Sequence, residues 1–184
     1  TQDTMVKYIN EEVTRLNQLA EEFLVFARPT PPKWESMNVG EMIHKLKALT
    51  EARENEGKKI KIIIESKVDD PIIIGDKNQI FQALLNLVEN GIQSSPEGGE
   101  VTIAFGPEGK GVTIEISDNG PGVTVEDREK IFEPFFTRKE KGTGLGLAIV
   151  KKIVEMHNGR IILSESSTGG ACFTVWLPRE QGNA

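Results

Sequence analysis

The first part of the chain carries apolar residues at alternating steps of three and four positions. This row comprises Val6, Ile9, Val13, Leu16, Ala20, Phe23 and Ala27. Such spacing is typical of the seam of a coiled coil or helical hairpin. Pro29, Pro31 and Pro32 follow, and proline cannot donate to the helical hydrogen-bond ladder. We therefore predict one long helix over residues 1–28 and a linker over residues 29–37.

Downstream of these prolines, helical and extended patterns alternate. Two helices begin with a capping pair, in which an Asn or Asp precedes a Glu or Gln by three positions. The pairs are Asn38 with Glu41 and Asp76 with Gln79. The predicted helices run over about 38–57, 76–94 and 145–156, the last closed by Gly159. Alternating or β-branched apolar segments predict strands over 60–64, 72–74, 101–105, 112–116, 160–166 and 171–177.

The order of these elements indicates the fold class. Gly106, Pro107, Gly109 and Gly111 favour a hairpin turn between two of the strands. Helices and antiparallel strands alternate without regular strand–helix–strand units, which predicts an α+β domain with helices on one face of a mixed sheet. We expect this domain over residues 38–178, followed by a tail at 179–184 and preceded by the long helix.

Composition and charge narrow the possible partners and compartment. The 184 residues suffice for one ordinary domain and a short attachment. A net charge of -6 argues against nucleic acid and anionic membranes as partners. The single Cys172 excludes an internal disulfide and fits a reducing cytoplasm. Because the chain begins at Thr1, we interpret it as a segment of a longer protein, which leaves room for a membrane anchor upstream.

The predicted helix from Asp76 to Ser94 has a polar face that lacks Lys and Arg. On a helical wheel, Gln79, Gln82, Glu89, Asn90 and Gln93 fall within about 60° of Asn86. One interpretation is a solvated face, which most such faces are. The other is a metal site, because two amide oxygens one turn apart, at Asn86 and Asn90, suit a hydrated Mg²⁺ and its phosphates.

Asp118 follows a predicted strand and begins the sequence Asp-Asn-Gly-Pro-Gly. This sequence is a strong turn signal by itself. It also fits a base-binding site, because a carboxylate at a strand end can accept a hydrogen bond from an adenine amine. Gly120 and Gly122 would let the backbone pass close to the base.

A glycine-rich segment, Gly142 to Leu147, leads directly into the last predicted helix. Free backbone N–H groups and the helix dipole make such a position an anion site, although a flexible connector is the alternative. The segment lacks the Lys-Ser/Thr ending of a P-loop. Arg138, Lys139 and Lys141 precede it and suit either phosphate neutralisation or an exposed basic loop.

Taken in order, four motifs resemble the N, G1, F and G2 boxes of sensor histidine kinases. They are the asparagine helix, Asp118 to Gly122, Phe132 to Thr137 (FEPFFT) and Gly142 to Leu147 (GTGLGL). The resemblance covers about residues 36–178 and implies the Bergerat fold, a two-layer α/β sandwich shared with the gyrase, Hsp90 and MutL ATPases. Residues 1–28 are similar to the second helix of the family's dimerisation and phosphoacceptor hairpin.

The resemblance also implies which residues bind Mg-ATP. Asn90, supported by Asn86, would contact Mg²⁺ and phosphate, and Asp118 would accept the adenine amine. Further implied contacts are Gly120 and Gly122 at the base, Phe132, Thr137 and Lys139 in a mobile lid over 132–141, Gly142, Thr143, Gly144, Leu145 and Gly146 at the phosphates, and Thr174 behind the adenine. The implied catalytic residues are Asn86, Asn90 and Lys139.

The sequence departs from the family pattern at two points. Gln93 stands where many relatives carry Lys, which shifts the expected phosphate contacts toward the lid. The first helix of the hairpin, with its His-acidic pair, is missing, and neither histidine replaces it. His44 precedes Lys45 in a helix beyond the linker, where we expect a surface or packing role, and His157 lies at a helix end, where we expect a C-terminal cap.

The implied function is transfer of the γ-phosphoryl group of ATP to a histidine on the hairpin, for relay to an aspartate of a response regulator. The intact protein would be a homodimer. Two alternatives stay open: an ATPase of the gyrase or Hsp90 type, and a pseudo-kinase that senses nucleotide without transfer.

Overall fold

A computed structural model of the chain describes residues 2–52, 59–66, 71–139 and 142–180. The helices are α1 Gln2–Ala27, α2 Val39–Ala52, α3 Lys77–Ser94 and α4 Gly146–Met156. The strands are β1 Glu35–Asn38, β2 Lys61–Ser66, β3 Ile72–Gly75, β4 Glu100–Glu108, β5 Gly111–Asp118, β6 Arg160–Glu165 and β7 Ala171–Pro178. The predicted helix end near Gly57 lies outside the described residues.

Five strands form one sheet in the order β2-β4-β5-β7-β6. β2 runs parallel to β4, and the other neighbours are antiparallel, so the predicted mixed sheet is confirmed. β4 and β5 pair from Val101↔Asp118 to Glu108↔Gly111. The predicted turn from Gly106 to Gly111 is therefore too wide, because strand pairing continues to Glu108 and Gly111 and the turn itself consists of Gly109 and Lys110.

The core lies between the sheet and the helices. Alternate residues of the central strands, such as Ile103, Ile114 and Val175, are buried, as the period of two requires. Leu84 of α3 and Ile149 of α4 are among the buried helix residues that join the same apolar cluster. Burial of each such side chain stabilises the fold by about 1.5–3 kcal/mol. The predicted two-layer arrangement is confirmed.

Helix α1 docks on the domain with a different face from the predicted seam. The seam residues are exposed, with fractions of 48–56% for Val6, Ile9, Val13, Leu16 and Phe23. Leu19 and Phe26 instead pack against the core. Lys152 of α4 donates to the Phe26 carbonyl and lies 4.7 Å from the centre of its ring. None of the helices in the described ranges is long and apolar enough to cross a bilayer.

The predicted linker contains a strand that the sequence pattern did not reveal. β1 pairs antiparallel with β3, from Glu35↔Gly75 to Asn38↔Ile72. At the last residue of β1, the Asn38 side chain accepts a hydrogen bond from the Glu41 amide, which confirms the first cap. The chain between α1 and α2 is thus held to the domain by backbone pairing.

The start of α3 is held by several polar contacts. Asp76 caps the helix by accepting from the Asn78 and Gln79 amides, as predicted. The Gln79 side chain does not complete the capping box, because it donates to the Thr30 carbonyl. The Asp76 amide donates instead to Nε2 of His157.

His157 is the C-terminal cap residue of α4, as predicted, and its ring also connects α4 to the start of α3. Its side chain is fully buried, and Nδ1 contacts the Ile153 carbonyl at 2.8 Å. Nε2 accepts the Asp76 amide, so the ring is neutral with its proton on Nδ1. Burial lowers the pKa of His157 below its ordinary value. His44, in contrast, is exposed on α2, at the surface position that we expected.

Candidate functional site

The polar face of α3 is half-buried rather than solvated over most of its length. Gln82, Asn86, Glu89 and Asn90 are all partly covered, whereas Gln93 is exposed. The Asn86 amide donates to the carbonyl of Gly146, at the start of α4, over 3.4 Å. The structure therefore brings the predicted asparagine helix to the predicted glycine segment.

One turn further along α3, Asn90 meets a cation from the lid. Lys139 Nζ donates to Asn90 Oδ1 and, at 2.9 Å, to Gln93 Oε1. The contact shows that the Asn90 oxygen lies where positive charge is favoured. The contact also joins Lys139, which was predicted to be catalytic, to Asn90, which was predicted to bind the metal ion.

Asp118 is buried at the end of β5, with 4% of its surface exposed. Its Oδ1 accepts from the amide of Gly120 at 2.8 Å and from the amide of Ala171 at 3.2 Å. Among the described residues, no group donates to its second oxygen, Oδ2. The carboxylate is therefore fixed in orientation by one oxygen and can accept a ligand's hydrogen bond with the other.

Close backbone approaches around Asp118 were not predicted from the sequence. A Cβ at Gly170 would lie 2.2 Å from the Asp118 carbonyl oxygen and 2.4 Å from Oδ1. At Gly91, next to Asn90, a Cβ would meet Val101 at 3.2 Å and Asp118 Cβ at 3.5 Å. The lack of a side chain at these two glycines lets α3 and the start of β7 lie against Asp118. Asn86 and Asn90 therefore lie on α3 in one strip with Gly91, which borders the carboxylate.

Gly120 lies beside the end of this strip, and Gly122 follows it in the same turn. A Cβ at Gly120 would approach the Ser94 carbonyl oxygen to 2.6 Å, so the turn after β5 packs against the end of α3. Gly122 has a φ of 73°, a left-handed conformation that favours glycine. The Asp-Asn-Gly-Pro-Gly sequence is therefore both a turn and one wall of the site.

Residues of the predicted lid contact β7 and the glycine segment. Phe132 stacks edge-on against Phe173 of β7, with ring centres 6.3 Å apart. The Phe135 amide donates to the Gly144 carbonyl, which joins the lid to the glycine segment. Thr137 Oγ1 accepts from the Lys139 amide and so supports the turn that carries Lys139. Lys141 lies outside the described residues.

Arg138 is engaged within the protein. Its guanidinium makes two hydrogen bonds to the Asp127 carboxylate, at 3.0 and 2.8 Å. This pairing holds the pKa of Asp127 below its ordinary value. Both Arg138 and Lys139 therefore have partners within the protein, which differs from the exposed basic loop that was one of the two interpretations of the sequence.

The glycine segment faces α3 on one side and α1 on the other. Gly142 donates its amide to the Lys139 carbonyl, so that amide closes a turn. Thr143 Oγ1 accepts from the Leu145 amide at 3.3 Å and donates to Glu22 of α1. Leu145 is fully buried, whereas Gly144 and Gly146 are half-buried.

Thr174 does not lie beside Asp118. It pairs with Glu115, three positions before Asp118, and so points to the opposite face of the sheet. Its neighbours Phe173 and Val175 are buried against the helices, which confirms that Thr174 faces the other way. The group that contacts the carboxylate from β7 is the amide of Ala171.

The described side chains suit a ligand that brings its own charges. No group of three or more His, Cys, Asp or Glu side chains within the described ranges is arranged to hold a metal ion. Asn86 and Asn90 could complete the shell of a cation already bound to phosphate oxygens, since Mg²⁺ keeps waters and substrate ligands. Asp118 supplies a directional acceptor beside the Asn90 end of α3, since a Cβ at Gly91 would lie 3.5 Å from Asp118 Cβ.

Comparisons with known proteins give related matches. The family described as histidine kinase-, DNA gyrase B-, and HSP90-like ATPase matches residues 75–181. Sporulation kinase D of Bacillus subtilis is 37% identical over 171 residues, which are 92% of this chain and 34% of that protein. The chain thus spans about a third of this curated relative.

Solved structures agree in fold. The catalytic domain of histidine kinase ThkA superposes with a TM-score of 0.74 at 32% identity, covering 80% of this chain and 97% of that one. The complex of histidine kinase ThkA with response regulator protein TrrA gives a TM-score of 0.82 at 28% identity, covering 97% of this chain and 52% of that one. The second match extends over α1.

Proposed function

The chain belongs to the histidine kinase-, DNA gyrase B-, and HSP90-like ATPase family, and from that premise we propose that it is the ATP-binding catalytic part of a sensor histidine kinase. The observation that carries the proposal is the half-satisfied Asp118 carboxylate beside the Asn86–Asn90 strip of α3. One oxygen is fixed by the Gly120 and Ala171 amides. The other suits the amine of adenine.

Each part of the site has a task in this proposal. Asp118 selects adenine, and Gly120 and Gly122 let the backbone approach the base. The glycine segment from Gly142 to Gly146 receives the phosphates at the start of α4, where the helix dipole favours negative charge. Lys139 neutralises charge on the transferred group.

Mg²⁺ fits the side chains at this end of the site. Asn90 Oδ1 already accepts from the Lys139 ammonium, so it tolerates a neighbouring positive charge. Asn90 would hold the ion together with phosphate oxygens, with Asn86 in support. The ion would supply neutralisation of the charge on the β- and γ-phosphates.

The proposed reaction is transfer to a histidine on a dimerisation hairpin. The bond between the γ-phosphorus and the bridging oxygen breaks as the imidazole nitrogen bonds to phosphorus, and ADP leaves. The phosphoryl group then passes to an aspartate of a response regulator. A homodimer, joined through the exposed row of α1, would present the hairpin.

Two observations favour the kinase over the gyrase and Hsp90 type of ATPase. The relative above is a sporulation kinase, and the solved structures above are of a histidine kinase. The match that includes α1 is also to a histidine kinase. The pseudo-kinase alternative is less favoured because Asn86, Asn90, Asp118 and Lys139 all stand in one site.

Calorimetry with ATP and GTP tests the nucleotide proposal. We expect micromolar-range, Mg²⁺-dependent binding of ATP, and much weaker binding of GTP, whose six-position oxygen would face the Asp118 carboxylate acceptor to acceptor. Asp118→Ala should abolish ATP binding. Equal affinities for the two nucleotides, or unchanged ATP affinity in the variant, would refute the assignment.

A transfer assay separates a kinase from a nucleotide sensor. With a separately supplied hairpin bearing a His-acidic pair, we expect alkali-stable label from radiolabelled ATP on the hairpin. The chain alone should stay unlabelled, because His157 is fully buried and His44 projects from α2. ATP binding without transfer to the hairpin would support the sensor instead.

A further inference from the structure

The docked face of α1 carries one carboxylate between two apolar contacts. Leu19 and Phe26 pack against the core, and Glu22 lies between them on the same helix face. Glu22 is half-buried. Its Oε2 accepts a hydrogen bond from Thr143 Oγ1 at 2.5 Å. A residue outside the ATPase domain thus reaches the glycine segment.

Thr143 joins Glu22 to the start of α4. The Leu145 amide donates to Thr143 Oγ1, and Leu145 is the N-terminal cap position of α4. The dipole at a helix start favours a nearby negative charge. With α1 docked, that charge is supplied by Glu22 at the end of the site where the proposed function puts phosphates.

We infer that Glu22 places a negative charge where the proposed function puts the phosphates. As a consequence, docking of α1 and binding of a triphosphate oppose each other. The inference rests on the proposed function. Two anions compete for the same positive potential and repel each other, so each weakens the other's binding. The coupling is reciprocal: a triphosphate loosens α1 by the factor by which docked α1 weakens the triphosphate.

Other contacts hold α1 without Glu22. Lys152 binds the Phe26 carbonyl, and Gln79 binds the Thr30 carbonyl just beyond the helix. The variant Glu22→Gln also keeps an oxygen that can accept from Thr143. It therefore removes the charge and retains the docked geometry. Glu21 is exposed and points about 100° away around the helix, so Glu21→Gln is a matched control for net charge.

The test measures the affinities of adenosine, ADP and ATP, with Mg²⁺, for the wild-type chain and both variants. We expect Glu22→Gln to tighten ATP by about 3- to 10-fold and ADP by less, with adenosine unchanged. Glu21→Gln should change ATP affinity by less than about 2-fold. The gain in Glu22→Gln should shrink as salt is added.

The outcomes separate this inference from the proposed function. If Glu22→Gln binds ATP only as tightly as Glu21→Gln, or more weakly, the inference is overturned. The proposed ATP binding would still stand. Absence of ATP binding in the wild-type chain refutes the proposed function. Hydrogen exchange gives a second readout: ATP should speed exchange at residues 19–26 in the wild type more than in Glu22→Gln, and equal acceleration would also overturn the inference.

Discussion

Asp76 and Asp118 are buried carboxylates with 7% and 4% of their surfaces exposed. They differ in how many of their carboxylate oxygens accept hydrogen bonds from the protein. At Asp76, Oδ1 accepts from the Asn78 and Gln79 amides and Oδ2 accepts from the Lys33 amide. At Asp118, both bonds go to Oδ1. The first carboxylate is closed by protein donors, whereas the second keeps one oxygen available to a ligand.

The difference separates a structural carboxylate from a functional one. Burial would raise the pKa of Asp76, but the backbone hydrogen bonds from Lys33, Gln79 and Asn78 lower it below its ordinary value. Asp76 therefore stays ionised and fastens the start of α3 to the segment after α1. A buried carboxylate with an incomplete set of donors is costly without a ligand, which makes Asp118 the better candidate for recognition.

The same substitution, Asp to Asn, tests the contrast at both positions. In Asp118→Asn the amide oxygen can keep the Gly120 and Ala171 bonds, while Nδ2 replaces the acceptor that faces adenine. We expect ATP affinity to fall on the order of 100-fold with little change in thermal stability. GTP should bind relatively better, because Nδ2 can donate to its six-position oxygen. Calorimetry with both nucleotides measures this, and retained ATP preference would contradict it.

Asp76→Asn should have the opposite profile. The new Nδ2 would face the Lys33 amide donor to donor, so we expect the free energy of unfolding to fall by about 1–2 kcal/mol. ATP affinity should stay within about 2-fold of the wild type, since Asp76 lies at the far end of α3 from Asp118. Denaturant unfolding and calorimetry give the two numbers. A loss of ATP-binding free energy larger than the loss of unfolding free energy would contradict the proposed difference between Asp76 and Asp118.

His157, which accepts the Asp76 amide, allows the structural role of this end of α3 to be tested by changing the pH. Because burial lowers its pKa in the fold, the unfolded chain binds the proton more readily. The contribution of His157 to stability is present above the ordinary histidine pKa, about 6.5, and is lost as pH falls through the window below it. We expect wild-type stability to drop in this window, and His157→Gln to flatten the drop. The same substitution at the exposed His44 is the matched control.

The smallest effect concerns the lid, whose mobility stays a prediction. Arg138→Met removes the pair with Asp127, so hydrogen exchange at residues 135–139 should become a few-fold faster without nucleotide. A non-hydrolysable ATP analogue should slow exchange in the wild-type lid, because phosphates supply contacts to Lys139. Equal exchange with and without the analogue would remove the lid from the proposed mechanism.

Local patterns were sufficient for the elements that carry the main site residues. The alternation of Val112, Ile114 and Ile116 predicted a strand ending near Asp118, and helical spacing placed Asn86 and Asn90 on one face. The same reasoning applied to β7 would have excluded Thr174. Phe173 and Val175 alternate with it and belong to the core face, so Thr174 must face away.

Contacts between distant segments could not be read from such patterns. The need for glycine at position 170 arises only because β7 meets Asp118, and β1 exists only because β3 is available to pair with it. The partners of Glu22 and Lys139 likewise depend on how α1 and the lid pack. A charge pattern identifies these side chains as polar, but tertiary packing decides which groups they meet.

The bond between the Asp76 amide and His157 spans 81 residues of the chain, which has a consequence for the order of folding. The entropy lost on closing such a loop grows with the logarithm of its length, and the bond requires α4 to be packed beside the start of α3. We therefore expect it to form after the β4–β5 hairpin, whose partners are close in sequence. Substitutions at His157 should mainly speed unfolding, whereas those in the hairpin should slow folding.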